Sequence, residues 1–235
     1  MHLCCWANLG LPMGLTRYCA RSPGGADGVP FSSGFPLPIP SMAATVFTPP
    51  LHLALTPSEV LPEGMNWRLQ EGYVRTVSWN AEGETFTLAI WGPGDLVASS
   101  TSVLQPFELQ CLTTVVVEQH QPSAAEVEQF LRQQIRYLEE IFLINRIRGA
   151  QERLLALLAW LGRRFGQVSS RGSRFSLKEM NLTHKALGEL CGLSRVTVTK
   201  MLNRFKAEGV LQQVSREDYL IPASRLRIHP CPQMA

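Results

Sequence analysis

The sequence predicts an α+β fold: an N-terminal antiparallel β-roll, a long dimerisation helix and a C-terminal winged helix-turn-helix. Three observations lead to this prediction. Short alternating apolar runs broken by turn residues fill residues 45–122, which is typical of β-hairpins. An apolar heptad pattern follows them. Near the C-terminus, two short helical segments are joined by a turn that contains glycine.

Four segments are expected along the chain. Residues 1–44 are rich in proline and glycine and show neither strand nor helix periodicity, which predicts a flexible extension. Met42 is an alternative start of the protein. The β-roll is expected over residues 45–122, the dimerisation helix and hinge over 123–148, and the winged helix-turn-helix domain over 149–228.

Charge is divided unevenly along the 235 residues. Residues 1–145 hold 6 Lys and Arg against 13 Asp and Glu, a net charge of −7, whereas residues 146–235 hold 16 against 6, a net charge of +10. A basic module beside an acidic one is typical of a protein that binds nucleic acid with one part only. A well-solvated basic surface without a nucleic-acid partner would show the same counts, so charge alone leaves both interpretations open.

Composition excludes several protein classes. The chain has no run of about eighteen apolar residues and no basic cluster ahead of an apolar N-terminal segment, so we expect no membrane association and a cytoplasmic location. The cysteines form no CxxC pair and have no regular spacing, which predicts neither a metal site nor a disulfide framework. The six cysteines are Cys4, Cys5, Cys19, Cys111, Cys191 and Cys231.

The strands of the roll are predicted from three alternating runs: YVRTVSW at 73–79, TFTLAIW at 85–91 and ELQCLTTVVVEQ at 108–119. The turn segments NAEGE and GPGD separate them. Alternation bounded by Asn, Gly, Pro and Asp indicates antiparallel hairpins, because apolar side chains then share one face of each strand.

A long helix is predicted from Ser123, a suitable N-cap, to about Asn145. An amphipathic helix lying on its own sheet would show the same pattern. The roll is expected to be too small to cover Phe130, Ile135 and Phe142 as well, which favours a dimer seam. The predicted seam has heptad spacings of 4, 3, 4, 3 and 4 and comprises Val127, Leu131, Gln134, Leu138, Ile141 and Asn145.

A second helix is predicted in QERLLALLAWLGRRFG, residues 151–166, after Gly149 loosens the chain. This segment is apolar on nearly all sides. Because such a helix has no face suited to water, we expect it to be buried.

The strongest local signal is LTHKALGELCGLSRVTVTKMLNRFKAEGVL, residues 182–211. Thr183 is a suitable N-cap for one helix and Ser194 for a second. Gly188 and Gly192 are small residues four apart, where two helices are expected to approach each other. Two short helices joined by such a turn form a helix-turn-helix. Four apolar residues of the second helix share one face, toward the core: Val198, Met201, Leu202 and Phe205.

The opposite face of the second helix is expected to enter the major groove of DNA. Arg195 suits bidentate bonding to guanine O6 and N7, and Val196 suits apolar contact with the thymine methyl group. Lys200 is placed for a base or a phosphate. The predicted base contacts are Arg195, Val196, Thr199 and Lys200; the predicted phosphate contacts are Thr183, His184, Ser194, Thr197, Asn203 and Arg216. Any one of the polar residues is equally well explained as a solvated group, and only the pattern in a basic domain favours DNA.

A wing is predicted after the second helix, which Gly209 is expected to end. The segment VLQQVSREDYLIP, residues 210–222, has the pattern of a two-stranded hairpin. Arg216 lies at its tip and is therefore placed to contact phosphate.

The order of these elements over residues 60–222, with a Gly94-Asp95 turn in the roll, resembles the CRP/FNR superfamily of bacterial transcription regulators. The most specific match, SRVTVTKML at 194–202, looks like the recognition helix of cyanobacterial members. The resemblance implies a sequence-specific regulator that binds a two-fold symmetric operator as a homodimer and has RNA polymerase as a partner. Members of the cyclic-AMP receptor type carry Glu after the Arg, so Val196 favours a GTA-like half-site over a TGTGA-type one.

The sensor half departs from the family pattern, which implies a shortened and diverged cyclic-nucleotide-binding-like roll. Cyclic-nucleotide-binding members supply a Glu and an Arg-Ser pair after the GD turn, but here that stretch is LVASSTSVLQPFELQ, and no Lys or Arg occurs between Arg75 and Arg132. A buried cyclic nucleotide or dicarboxylate would lack a compensating cation. The cysteine cluster of iron–sulfur members is absent, although Cys4, Cys5, Cys19 and Cys111 together could supply four thiolates. We therefore expect no cyclic nucleotide, haem or iron–sulfur cofactor, and the effector stays open, including none.

Two functions from other classes compete with DNA binding. A metal-dependent enzyme in the roll would need several converging His residues, but the roll offers only His52 and His120 and no HxH pair. Phosphate loops, HExxH and nucleophile elbows are also missing, so we expect no enzyme. A protein-interaction module that binds acidic partners with its basic face stays open as the alternative.

Overall fold

The computed structural model describes residues 50–98, 106–215 and 218–226. It confirms the predicted α+β class, because antiparallel strands occupy the N-terminal part and helices with a helix-turn-helix follow them. Three sequence-based predictions lie outside the described residues: the extension over 1–44, the wing-tip Arg216 and the four cysteines at positions 4, 5, 19 and 231.

The described part of the roll consists of two antiparallel sheets. One has the strand order β1-β7-β2-β5 and the other β4-β3-β6. Their strands are β1 His52–Leu55, β2 Asn66–Glu71, β3 Val74–Trp79, β4 Thr85–Trp91, β5 Leu96–Ala98, β6 Phe107–Cys111 and β7 Val115–Gln119.

The predicted run at 108–119 is two strands rather than one, because the chain crosses here from one sheet to the other. The amides of Leu112 and Thr113 both donate to the Tyr73 carbonyl, which bends the chain between β6 and β7. Gly72 lies against this bend with φ +85°, and a Cβ there would clash with the Thr114 carbonyl oxygen. Only glycine therefore fits this crossing without displacing the backbone.

The interior of the roll is filled by large apolar side chains. Trp67, Val74 and Val117 are fully buried. The Trp91 indole stacks against Phe130 of the following helix, with 6.2 Å between the ring centroids. The expectation that the roll cannot cover Phe130 is therefore wrong: this side chain is buried in the core of the roll.

The long helix α1, Ala124–Arg146, begins as predicted at Ser123. The Glu126 amide donates to Ser123 Oγ, and the Ser123 amide donates to the Glu126 carboxylate, which completes a capping box. Arg68 and His120 of the roll also lie within 3.0 Å of the same carboxylate. The helix is thus attached to the roll at its first turn.

Helix α2 is buried as the sequence predicts, and the side chains of Leu154, Leu157, Leu158 and Leu161 are fully inaccessible to solvent. A four-stranded sheet of order β10-β11-β9-β8 packs beside them. Its β10-β11 hairpin confirms the predicted wing, whereas the β8-β9 hairpin was not predicted. The elements are α2 Ala150–Phe165, β8 Gln167–Ser169, β9 Gly172–Ser176, α3 His184–Cys191, α4 Arg195–Ala207, β10 Gln212–Gln213, β11 Asp218–Pro222 and α5 Ala223–Leu226.

The apolar core of the helices extends into the roll. Ile90 of β4 and Leu112, which follows β6, belong to the same buried cluster as α2, α3 and α4. The described parts of the roll and of the helix-turn-helix thus pack as one unit. None of the described helices is long and apolar enough to cross a membrane.

Acid should selectively remove the contribution of the capping box. Hydrogen bonds from Ser123 and His120 lower the pKa of Glu126 from its ordinary 4.5 to about 2. The ionised carboxylate therefore stabilises the folded state fully above pH 4.5, and this stabilisation is lost as the pH falls toward about 2. In urea unfolding, the stability deficit of Glu126→Gln relative to the wild-type chain should shrink across this range.

The matched control for this measurement is Glu128→Gln on the same helix. Its carboxylate forms an exposed pair with Arg132, and such pairs contribute little to stability. Its deficit should be small at every pH. A Glu126→Gln deficit that is the same at about pH 5 and pH 2 would contradict the assignment.

Candidate nucleic-acid interface

Both helices of the helix-turn-helix begin at the predicted caps. Thr183 Oγ1 accepts from the Ala186 amide at 3.2 Å, and Ser194 Oγ accepts from the Thr197 amide at 3.1 Å. Between the helices, the Leu193 amide donates to the Gly188 carbonyl at 2.9 Å. These bonds satisfy amides that the helix ends would otherwise leave without partners.

The two glycines of the turn have different roles. At Gly188 an added Cβ would clash with the Leu193 carbonyl oxygen, so this glycine permits the close approach of α3 to the turn. Gly192 faces open space and has φ +62°, so it supplies the left-handed residue that ends α3. The predicted close approach therefore holds for Gly188 and not for Gly192.

Helix α4 has one buried and one exposed face. The inward face is as predicted, with Val198, Leu202 and Phe205 buried and Met201 half-buried. On the other side, the predicted base contacts Arg195, Val196 and Lys200 are exposed, as is Asn203. The apolar Val196 side chain is 62% exposed, which water alone does not favour.

The two cations of this face lack an ion-pair partner among the described residues, unlike the arginine on the last turn of the same helix. Within the part of the chain that the structure describes, neither Arg195 nor Lys200 pairs with a carboxylate. By contrast, Arg204 on the last turn donates to Glu208 at 2.6 Å. The charges of Arg195 and Lys200 are therefore available to an external anion or base edge.

Thr199 is half-buried and lies between the two helices. Its hydroxyl donates to the Arg195 carbonyl at 2.9 Å, and His184 Nδ1 lies 2.8 Å from the same oxygen. Since a hydroxyl has only one proton, His184 is the donor in the second bond. The pair connects the first residue of α3 to the first turn of α4, where Arg195 lies.

Three of the other predicted phosphate contacts lie at helix N-termini, namely Thr183, Ser194 and Thr197, whereas Asn203 lies further along α4. The hydroxyls of Ser194 and Thr197 are 2.8 Å apart at the N-terminus of α4. Thr183 is exposed at the N-terminus of α3. The amides of both helix termini add a positive potential on this side of the molecule.

One cation–π contact joins the wing sheet to α4. Lys206 lies 5.1 Å from the Tyr219 ring centroid. Hydrogen bonds from Ser176, Ser215 and Arg174 lower the pKa of Asp218, which anchors β11. The Asp218 bonds thus hold β11 to β9, and Lys206 brings this sheet into contact with α4.

The predicted dimer-seam residues are placed unevenly on α1. Leu131 and Leu138 are exposed, Val127 and Gln134 are half-buried, and Ile141 packs against the core of its own chain. Asn145 donates to the Leu190 carbonyl of α3 at 3.1 Å. Together with two residues outside the predicted seam, an exposed apolar stripe runs at spacings of 4, 3 and 4: Leu131 44%, Ile135 56%, Leu138 59% and Phe142 64%. The heptad spacing in the sequence is the pattern from which Ile135 and Phe142 could have been included in this stripe.

The described part of the roll shows no group of three His, Cys, Asp or Glu side chains that could hold a metal ion. Cys111 and Cys191 are buried free thiols, and burial raises the pKa of each to about 11. They are protonated at neutral pH and so are poor nucleophiles and poor metal ligands. The Asp95 carboxylate of the Gly94-Asp95 turn is bound within the chain, to Arg164.

Comparisons with known proteins agree with this geometry. Residues 152–225 match the family described as Crp-like helix-turn-helix domain. The chain is 37% identical over 185 residues to the regulatory protein CysR of Synechococcus elongatus, covering 75% of this chain and 90% of that protein. It is 36% identical over 92 residues to the electron transport regulator A of Shewanella oneidensis, covering 35% of each chain.

Two solved structures share the fold at low sequence identity. FixK2 from Bradyrhizobium japonicum superposes with a TM-score of 0.64 at 17% identity, covering 79% of this chain and 98% of that one. A CRP/FNR family transcriptional regulator from Thermus thermophilus superposes with a TM-score of 0.59 at 19% identity, covering 76% and 97%.

The turn between α3 and α4 should tolerate side chains at only one of its two glycines. Gly188→Ala places a methyl group against a backbone carbonyl, and we expect a loss of about 1–3 kcal/mol in the free energy of unfolding. Gly192→Asn should cost less than about 1 kcal/mol, because asparagine tolerates the left-handed conformation. Urea unfolding of the two variants measures both losses, and equal losses would show that the close approach at Gly188 does not constrain the turn.

Proposed function

Because the chain belongs to the CRP/FNR family of transcription regulators, we propose that it binds a two-fold symmetric operator as a homodimer, with α4 in the major groove of each half-site. The observation that carries this proposal is the exposed face of α4. Two cations that pair with no carboxylate among the described residues lie there beside an exposed valine, on a capped helix of the basic half of the chain.

The proposed base contacts follow from the chemistry of the groove. Arg195, in the first turn, donates to guanine O6 and N7, and Val196 contacts a thymine methyl group, which together suit a GTA-like half-site. Lys200, one turn further, reaches a base or a phosphate. The proton of Thr199 is committed to the Arg195 carbonyl, so this residue offers the base edges a methyl group and a lone pair but no donor.

The proposed phosphate contacts orient the helix without reading sequence. Thr183 and His184 lie at the start of α3, and Ser194 and Thr197 at the start of α4. Asn203 and the wing residue Arg216 complete the set proposed from the sequence. Hydroxyls at two neighbouring helix N-termini are well suited to adjacent phosphates, because the helix dipoles favour anions there.

The proposed dimer forms along α1, from Val127 to Asn145. The exposed stripe supports this, since four large apolar side chains at heptad spacing are costly to leave in water. We extend the proposed seam to Ile135 and Phe142. RNA polymerase is proposed as a further partner and the cytoplasm as the location; the effector is left unassigned.

Selection of a DNA sequence distinguishes this function from its alternative, a module that binds acidic proteins and has no sequence-specific DNA binding. From a pool of random duplexes at low salt, the wild-type chain should enrich one symmetric motif. Arg195→Ala should bind that motif about 1–3 kcal/mol more weakly and lose preference at one base pair of each half-site. Arg204→Ala, an ion-paired arginine on the same helix, should retain the preference. Failure of the wild-type chain to enrich any motif would reject the proposal in favour of the alternative.

The dimer seam has a matched pair of test positions on one helix. Leu138→Asp places a charge in the proposed seam, where it would be desolvated opposite its symmetry mate, so sedimentation should show monomers. Leu143→Asp is also an exposed leucine of α1, 43% exposed, but faces away from the stripe, and this variant should remain dimeric. If Leu138→Asp stays dimeric, the subunits associate through another surface.

A further inference from the structure

The first helix of the helix-turn-helix is attached to the roll through a buried carboxylate, Glu189. Its side chain is 9% exposed, and Oε2 lies 3.0 Å from Arg75 Nη1 and 3.1 Å from Thr87 Oγ1. Thr85 Oγ1 lies 3.4 Å from Oε1. Arg75 itself donates from Nε and Nη2 to Gln110 Oε1 at 2.9 and 2.7 Å. Strands β3, β4 and β6 therefore all contribute to holding one residue of α3.

A second ion pair attaches the other side of the same unit. Arg164 near the end of α2 lies 2.9 Å from Asp95 of the roll, and their side chains are 9% and 16% exposed. The guanidinium carbon also lies 3.4 Å from the ring centroid of Tyr137 on α1. Arg164 thus contacts the roll and the proposed dimer helix at once.

Uncharged contacts fix the same arrangement. Asn181, just before α3, donates to the Leu112 carbonyl of the roll at 2.6 Å. Asn145 of α1 donates to the Leu190 carbonyl of α3 at 3.1 Å. Because α3 contacts the turn to α4 closely at Gly188, a fixed α3 also fixes the recognition helix.

We propose that the Arg75–Glu189 and Arg164–Asp95 pairs form a clamp that fixes α4 relative to α1 and so determines which half-site spacing the dimer accepts. The inference rests on the proposed function. Arg195, Val196 and Lys200 are exposed while the clamp is closed, so the clamp acts on geometry and does not cover the reading face.

The physical reason is the effective concentration of the second subunit. When one half-site is bound, a rigid dimer presents its other recognition helix at one distance and one rotation only. A matching second half-site then adds strongly to affinity, and a mismatched one adds little. Buried ion pairs suit this role because their geometry is specific, whereas their net stabilisation is small.

The test measures affinity for three duplexes: a single half-site, the selected operator, and that operator with two base pairs inserted between half-sites. The insertion moves the half-sites apart by about 7 Å and rotates them by about 70°. The wild-type chain should lose about a hundredfold in affinity on insertion. Glu189→Ala should bind the single half-site equally well, bind the operator more weakly, and lose less than about tenfold on insertion.

Two further variants make the result specific to the clamp. Glu208→Ala removes one carboxylate from the same domain, so it raises net charge equally, but its partner is the exposed Arg204; it should keep the wild-type response to spacing. The exchange Arg75→Glu with Glu189→Arg should restore part of the spacing preference that Glu189→Ala loses. A folded, dimeric Glu189→Ala with the full wild-type loss on insertion overturns the proposal.

If Glu189→Ala does not fold, Thr87→Ala and Gln110→Ala each remove a single neutral partner of the clamp. Both variants should reduce the affinity loss on insertion, as Glu189→Ala does, but by a smaller factor. A loss on insertion identical to that of the wild-type chain overturns the clamp. A wild-type chain that tolerates the insertion also overturns it, while leaving the proposed DNA binding intact. A wild-type chain that selects no duplex rejects the proposed function itself.

Discussion

The arrangement of this molecule depends on the burial of α2 between the roll and the helix-turn-helix. Its four fully buried leucines contact neighbours on several sides, and each such burial is worth about 1.5–3 kcal/mol. Ile90 from the roll and Val198 and Leu202 from α4 enter the same cluster. The position of the recognition helix is therefore set by an apolar core that is shared with the roll, and the polar contacts at its edge select one orientation within that core.

Local signals in the sequence were sufficient for the elements that carry the proposed DNA contacts. A cap such as Ser194 or Thr183 acts within three residues, and the inward face of α4 follows from helical periodicity. The Gly188 approach could likewise be predicted, because two helices joined by a short turn must come close. Because these features depend on interactions between residues that are close together in the chain, they can be predicted from a single sequence.

What the sequence did not show depends on residues far apart in the chain. Arg75 and Glu189 are 114 positions apart, and nothing in the local pattern of either residue identifies its partner. Phe130 was predicted to lie outside the roll, but its burial depends on Trp91 of a distant strand. The heptad pattern on α1 could not separate Ile141, which packs against its own chain, from Phe142, which remains exposed, because both are apolar and adjacent.

The cations of the roll connect it to two of the helices that follow in the structure, α1 and α3. In the sequence of the predicted roll, residues 45–122, Arg68 and Arg75 are the only Lys or Arg, and both have partners within the chain. Arg68 pairs with Glu126 at the start of α1, and Arg75 pairs with Glu189 on α3. An anion that bound Arg75 would have to displace Glu189, leaving this buried carboxylate with only the exposed Lys185, whose Nζ lies 3.7 Å from Glu189 Oε1, which is unfavourable. Under the proposed clamp, an anion bound to Arg75 and the Arg75–Glu189 pair would exclude each other, so such binding would open the clamp.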